Sequence, residues 1–170
     1  MTTEKQTEPT KESTTEEKTT AEVTTEAVSP TLLTGFKSSG SFSGGEKSSG
    51  QDIAFARYGR HDTYERLAFD LYEWVGGKPV QPAGVICDYT AGISDDGRTI
   101  SIIINGAVEA YASQSSLSLL NSANIEAVSY NYFGNGDAVA ITISLKRPCQ
   151  FKVFNLESPA KLVIDIAALE

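Results

Sequence analysis

The sequence runs to 170 residues, 40% of them hydrophobic, with a formal net charge of -8 and two cysteines. That length suits one domain of about 100–200 residues plus a tail, and the acidic balance argues against nucleic acid as a partner, because phosphate binding needs clustered Lys and Arg. No run of roughly 18 apolar residues occurs, so no transmembrane segment is expected, and two cysteines are too few for a disulfide scaffold and fit no zinc spacing.

From Met1 to about Pro30, Thr and Glu dominate and aromatic residues are lacking. Such a segment cannot bury enough apolar surface to offset the entropy of ordering, which predicts disorder. The opening Met-Thr-Thr-Glu-Lys has no signal-peptide regions and reads as a start methionine on an already trimmed, exported segment. Lys37–Gly50 is Ser/Gly-rich, a flexible-linker composition on which Phe36 and Phe42 would dock only transiently. Residues 1–50 are therefore expected to form a tether holding a domain clear of a surface; the plainer alternative is an end without a role.

The domain is expected over residues 51–168. Ile53–Tyr58 reads as a strand, Gly59–Thr63 as a polar turn carrying the only histidine, and Tyr64–Trp74 as the longest strand. Leu67, Phe69 and Leu71 share one face of it, and Ala68, Asp70, Tyr72 and Trp74 share the other. Val85–Tyr89 is a further strand. Ser94-Asp95-Asp96-Gly97 is a hairpin turn, and Thr99–Ile104 is an apolar, β-branched run of the kind covered on both faces. The period is lost from Ala107 to Ala123, where Gln114–Asn121 could make a helical turn or two, though its serines favour loop.

Asn124–Ala167 reads as a four-strand meander. Val128, Tyr130 and Tyr132 share a parity, as do Val139, Ile141, Ile143 and Leu145, which makes both tyrosines structural. The Asn-Gly of Gly134-Asn135-Gly136-Asp137 supplies a tight turn between them. Arg147-Pro148 stops the second strand, and Gln150–Phe154 and Leu162–Ile166 complete the set. About eight short, mostly antiparallel strands after a disordered tail predict an all-β fold, a two-sheet β-sandwich. Cys87 and Cys149 would pair if their strands adjoin; otherwise they are two buried thiols acting as small hydrophobes.

Candidate chemistry is sparse. His61-Asp62 lacks a nucleophile elbow or second metal ligand, and neighbours in a turn rarely face each other, so the pair is read as part of the turn and no catalytic residue is assigned. Asp95-Asp96 is too short for a calcium loop and reads as a solvated hairpin tip, so no metal is expected. Binding has better candidates. Tyr72 and Trp74 lie opposite the core parity and could stack on a sugar ring or anchor an interface, unless a loop or strand covers them. Phe133 is placed outward at its hairpin tip. Arg57, Arg60 and Arg66 cluster with His61 around the first hairpin. They either pair with Asp62, Glu65 or Asp70 or hold the carboxylates of a peptide stem or anionic polymer.

Three stretches carry a family resemblance. Ala56–Asp70, ARYGRHDTYERLAFD, resembles the "RxGrHdgyDRvvf" opening of the AMIN-like domains of bacterial exported proteins. Gly136-Asp137 and the following strand resemble that family's central hairpin. Phe151–Ile166, FKVFNLESPAKLVIDI, resembles its closing "fRVf-L-PpRlVvDv" pattern, with Lys161 where the pattern has arginine. The resemblance covers most of residues 52–167 and implies a two-sheet β-sandwich outside the cytoplasm. AMIN domains sit beside cell-wall amidases and secretin channels and localise their host by binding peptidoglycan. The function so implied is a non-catalytic, cofactor-free, cell-surface module that binds peptidoglycan or another wall component, secreted or held by a lipid-bearing cysteine upstream. The alternative is a protein–protein interaction module recruiting an envelope protein.

Overall fold

The computed structural model describes residues 31–114, 117–133 and 137–170. The expected disorder of residues 1–30 and the Gly134-Asn135-Gly136 turn lie outside them. Among the described residues the fold is all-β, with eleven strands in chain order: β1 (Ser41–Gly44), β2 (Gln51–Arg60), β3 (Glu65–Val75), β4 (Lys78–Pro82), β5 (Tyr89–Ile93), β6 (Thr99–Asn105), β7 (Ala107–Glu109), β8 (Ile125–Phe133), β9 (Ala138–Leu145), β10 (Cys149–Leu156) and β11 (Lys161–Ala168). They form two layers. One sheet runs β1-β5-β6-β9-β8; the other runs β10-β11-β3-β2-β7, with β4 also on β3. Among the named strands every pairing is antiparallel except the short parallel contact of β2 with β7.

The core lies between the layers and follows the period-two pattern. Leu67, Phe69 and Leu71 of β3 and Ile164 and Ile166 of β11 meet Ile100, Ile102 and Ile104 of β6 and Ile141 and Ile143 of β9, all fully buried. Each such side chain stabilises the fold by roughly 1.5–3 kcal/mol.

Several expectations are corrected. Among the described residues eleven strands replace eight, because β1 (SFSG), β4 (KPVQP) and β7 (AVE) are edge pieces too short to show a period. The last four strands are not one meander: β8–β9 and β10–β11 are hairpins in different sheets, and the chain crosses between the layers at Lys146–Pro148. β6 is covered on one face only, with Ile103 exposed. Tyr111–Gln114 forms a 3-10 turn ahead of the stretch where helical turns were expected. Of the two tyrosines read as structural, Tyr130 packs against the core, but Tyr132 is half exposed.

The Ser/Gly-rich stretch is not a free linker. Lys37 and Phe151 exchange both backbone hydrogen bonds at 2.8 Å, β1 pairs with β5, and Glu46 N–H donates to the Ile86 carbonyl at 2.9 Å. Phe42 sets its ring edge-on to Phe151 at 5.1 Å. Its glycines answer to geometry: at Gly45, with φ of 80°, a Cβ would come within 2.3 Å of the Cys87 carbonyl oxygen. Gly106, φ 85°, would bring one within 2.0 Å of the Ser48 carbonyl oxygen. These close approaches seal residues 45–50 against the sandwich, so the ordered fold reaches upstream of residue 51.

The cysteines do not pair. Both are free and fully buried. Cys149 starts β10 opposite Ala168 and donates its S–H to the Arg147 carbonyl, whereas Cys87 precedes β5 and accepts a hydrogen bond from Ser48 Oγ at 3.2 Å. Tyr89, two residues past Cys87, bonds Asn155 at the far end of β10, which sets the thiols roughly 20 Å apart at about 3.3 Å per strand residue. Burial pushes the Cys149 thiol up to about 11 and raises that of Cys87 as well. Both are therefore poor nucleophiles and packing residues.

Candidate ligand-binding face

β3 and its neighbours turn one row of side chains into the core and the opposite row outward. The outward row of β3 is Arg66, Ala68, Asp70 and Tyr72. Register sets Phe55 and Arg57 of β2 and Lys161, Val163 and Asp165 of β11 beside it. A bulge at Ala54 shifts the β2 register between Ile53 and Phe55, which is why Ile53 is fully buried while Phe55, two residues on, is half exposed.

Asp70 is the centre of this face. It is nearly buried, yet Arg57 pairs with one of its oxygens and Lys161 with the other. The Arg57 side chain remains 61% exposed, against 26% for Lys161. Arg66 makes a two-pronged pair with Asp165, Nε to Oδ1 at 2.6 Å and Nη2 to Oδ2 at 2.9 Å, and its guanidinium lies over the rings of Tyr64 and Phe154 at 5.3 and 5.4 Å. That hydrogen-bonded pairing holds the Arg66 pKa above its ordinary range.

Phe55 and Tyr72 pack edge to face at 5.6 Å. Together with Pro82, Pro159, Arg57 and Lys161 they line an open groove of about 350 Å³. The lining mixes aromatic, prolyl and cationic side chains.

The residues picked out in the sequence divide among separate places. Arg57 and Tyr72 meet in this groove, with Arg66 on the same face. Arg60 and His61 lie instead in a depression of about 400 Å³ at the end of the sandwich, shared with Asn124, Arg147 and Gln150. There His61 stacks on Tyr64 at 4.4 Å. Trp74 is half buried near the end of β3, with Pro79 of β4 opposite in the ladder. Phe133, half exposed, stands on the other sheet. Asp96 caps its own turn, accepting from Ser94 Oγ at 2.6 Å and Arg98 N–H at 3.0 Å.

Sequence reasoning missed Phe55, because the bulge reverses its parity, and it missed Lys161 and Asp165, which come from the far end of the chain. Glu65, named only as a possible partner for the arginines, serves the chain before β8 instead. That buried carboxylate accepts hydrogen bonds from Tyr58 Oη at 2.8 Å, Ala123 N–H at 2.7 Å, and Asn124 N–H and Ser122 Oγ both at 3.0 Å. Burial pushes its pKa up, but the donors outweigh that and hold it below its ordinary value. The chain matches no known family model and no curated protein.

Proposed function

We propose that this chain is a non-catalytic, extracytoplasmic module that holds a bacterial envelope protein at the cell wall by binding peptidoglycan or another wall polymer. The observation that carries this reading is the groove beside Asp70. Two cations share one carboxylate there, which leaves one positive charge uncompensated, and the Arg57 guanidinium is open to solvent. A guanidinium takes a carboxylate in a planar fork, and the adjoining Phe55 and Tyr72 offer ring surface of the kind that stacks on sugars. A wall glycan with peptide stems presents sugar rings and carboxylates side by side, and an open groove suits a polymer that must pass through it. The likeness of residues 52–167 to AMIN-like domains supports the same assignment.

The test is sedimentation of the purified protein with insoluble peptidoglycan. Wild type should leave the supernatant at low and moderate salt. Arg57→Ala and Tyr72→Ala should each weaken retention about 5–30-fold, the equivalent of one to two kcal/mol, while Lys161 keeps Asp70 paired and the fold intact. If wild type stays in the supernatant, the protein-interaction reading takes precedence. If both variants sediment as wild type does, this groove is not the site.

A further inference from the structure

The depression at the end of the sandwich shares no residue with the groove beside Asp70, and its lining includes a polar side chain without a partner. Asn124 is only 8% exposed. Its backbone is fully used: the N–H donates to Glu65 Oε2 at 3.0 Å, and the carbonyl accepts from Lys146 N–H at 2.8 Å. Its side chain reaches the depression, where among the described residues the amide has no hydrogen-bond partner, though it is not sealed from solvent. Buried amides ordinarily find partners, and this one offers a donor and an acceptor together. The lining around it is built. Buried Gln150 accepts Leu33 N–H at 2.6 Å and donates to the Thr31 and Ala168 carbonyls at 3.2 Å each, tying the incoming chain to the end of β11. Arg60, opposite Glu65 at the end of β2, and Arg147 bring guanidinium groups to the same place. Among the described residues neither pairs with a carboxylate, and Arg147 spends one N–H on the Ala123 carbonyl at 3.3 Å. Exposed Asp62 and Glu170 complete the charged lining.

We propose that this depression captures the free C-terminus of a short peptide: Arg60 and Arg147 take the terminal carboxylate, and the Asn124 amide pairs with the last peptide group. Guanidinium groups hold carboxylates by charge-assisted, forked hydrogen bonds. A peptide group presents an acceptor and a donor side by side, which answers both ends of the Asn124 amide; a lone inorganic anion would answer only its N–H₂. The charge balance narrows the ligand further. Two guanidinium groups face two exposed carboxylates, and the Glu65 charge is already shared among four donors, so a single carboxylate is admitted where a polyanion would be repelled. A volume of about 400 Å³ accommodates a ligand of this size. Leu33, Ala167 and Ala168, with the stacked rings of His61 and Tyr64, give apolar lining suited to a small terminal side chain. This pocket rests on different residues from the wall-binding groove.

Titration of the whole, isotope-labelled chain with N-acetyl-Ala-Ala, followed by two-dimensional NMR, should give saturable shifts centred on the Asn124 side-chain amide. The same peptide with its C-terminus amidated, and acetate alone, should each bind at least about tenfold more weakly. Arg60→Gln and Arg147→Gln, at exposed positions, should each weaken binding about tenfold with melting unchanged. Asn124→Asp, which keeps the backbone bonds and puts a negative charge where the amide N–H₂ stood, should abolish it; should that variant fold poorly, the two arginine variants decide. No saturable shift at the highest soluble peptide concentration overturns the proposal, as does equal binding of the amidated peptide. Acetate binding as tightly as the peptide overturns the role of Asn124 and leaves an unspecific carboxylate site. Binding that appears only when residues 1–30 are removed overturns the proposal too, by assigning the depression to this chain's own upstream segment. Arg57→Ala should bind the peptide as wild type does, which keeps this test separate from that of wall binding.

Discussion

Replacing Glu65 should be the most costly single polar substitution in the domain. Its carboxylate ties β3 to the turn that delivers the chain into β8, by accepting from Ala123 and Asn124 N–H, Ser122 Oγ and Tyr58 Oη. In Glu65→Ala, Ala123 and Tyr58 can turn to water because they are not buried, but Asn124 and Ser122 cannot, being 8% and 6% exposed. Two buried donors stranded at roughly 1–3 kcal/mol each predict a loss near 3–4 kcal/mol. Glu65→Gln keeps one acceptor and turns an amide N–H₂ toward donors, for about half that loss. The pH dependence has a definite sign. The folded pKa lies below the ordinary 4.5, so the carboxylate's contribution is complete above that value and drains away as pH falls through the window below it. Urea unfolding of wild type and both variants at about pH 7 and about pH 3 measures this. The stability gap between wild type and Glu65→Gln should narrow in acid. A Glu65→Ala loss under about 1 kcal/mol, or a gap that does not change with pH, refutes the reasoning.

Asp52 should behave in the opposite sense. It is fully buried, Oδ1 accepts Tyr111 N–H at 2.8 Å, and Oδ2 has no partner among the described residues. Burial raises its pKa above 3.8, with nearby Glu109 adding to the rise against the Tyr111 bond, so wild type loses stability as pH climbs from 3.8 through the folded value. Asp52→Asn should therefore be about 1 kcal/mol more stable at neutral pH, with the gain gone in acid; equal unfolding midpoints at neutral pH would contradict this. Removing residues 1–30 should leave the unfolding midpoint unchanged. Removing residues 1–50 deletes β1, the Lys37–Phe151 bridge and the Gly50 acceptor for Trp74 N–H, and it bares the edges of β5 and β10. It should lower stability by at least about 2 kcal/mol and promote aggregation in light scattering.

The long strands were legible because one face of each is buried and alternation records that directly. β3 and β9 needed nothing more. β6 was misread for a physical reason: Ile103 extends an apolar run over three consecutive residues, and the sequence does not say that the outer face of that sheet is open. The linker misreading runs deeper. Ser/Gly composition predicts flexibility because glycine reaches positive φ at no steric cost, but positive φ and backbone contact are what Gly45 supplies against Cys87. Composition does not separate a glycine that is free from one that is required. The arginines show a third limit. Asp70 was among the partners nearest in sequence and is the one Arg57 uses, whereas Arg66 reaches Asp165, 99 residues away, because β11 lies beside β3. Strand order, which alternation does not encode, decides that.

In the proposed role, the charges on the outer face let a binding surface and a fixed register coexist. Asp70 and Asp165 are only 6% and 4% exposed although they point away from the core; each is covered by cations from neighbouring strands. Arg57–Asp70–Lys161 crosses β2, β3 and β11, and Arg66–Asp165 crosses β3 and β11. A one-residue slip of β3 or β11 would carry a carboxylate into the apolar layer and part it from its partners, a cost of several kcal/mol. The pairs therefore lock the register that exposes the groove. For the proposed binding, the doubling at Asp70 has a consequence. A ligand carboxylate that draws Arg57 away leaves Asp70 still held by Lys161, so no buried charge is orphaned when the groove fills. A single-cation pair at that position would make binding compete with folding, whereas the pair of cations separates the two.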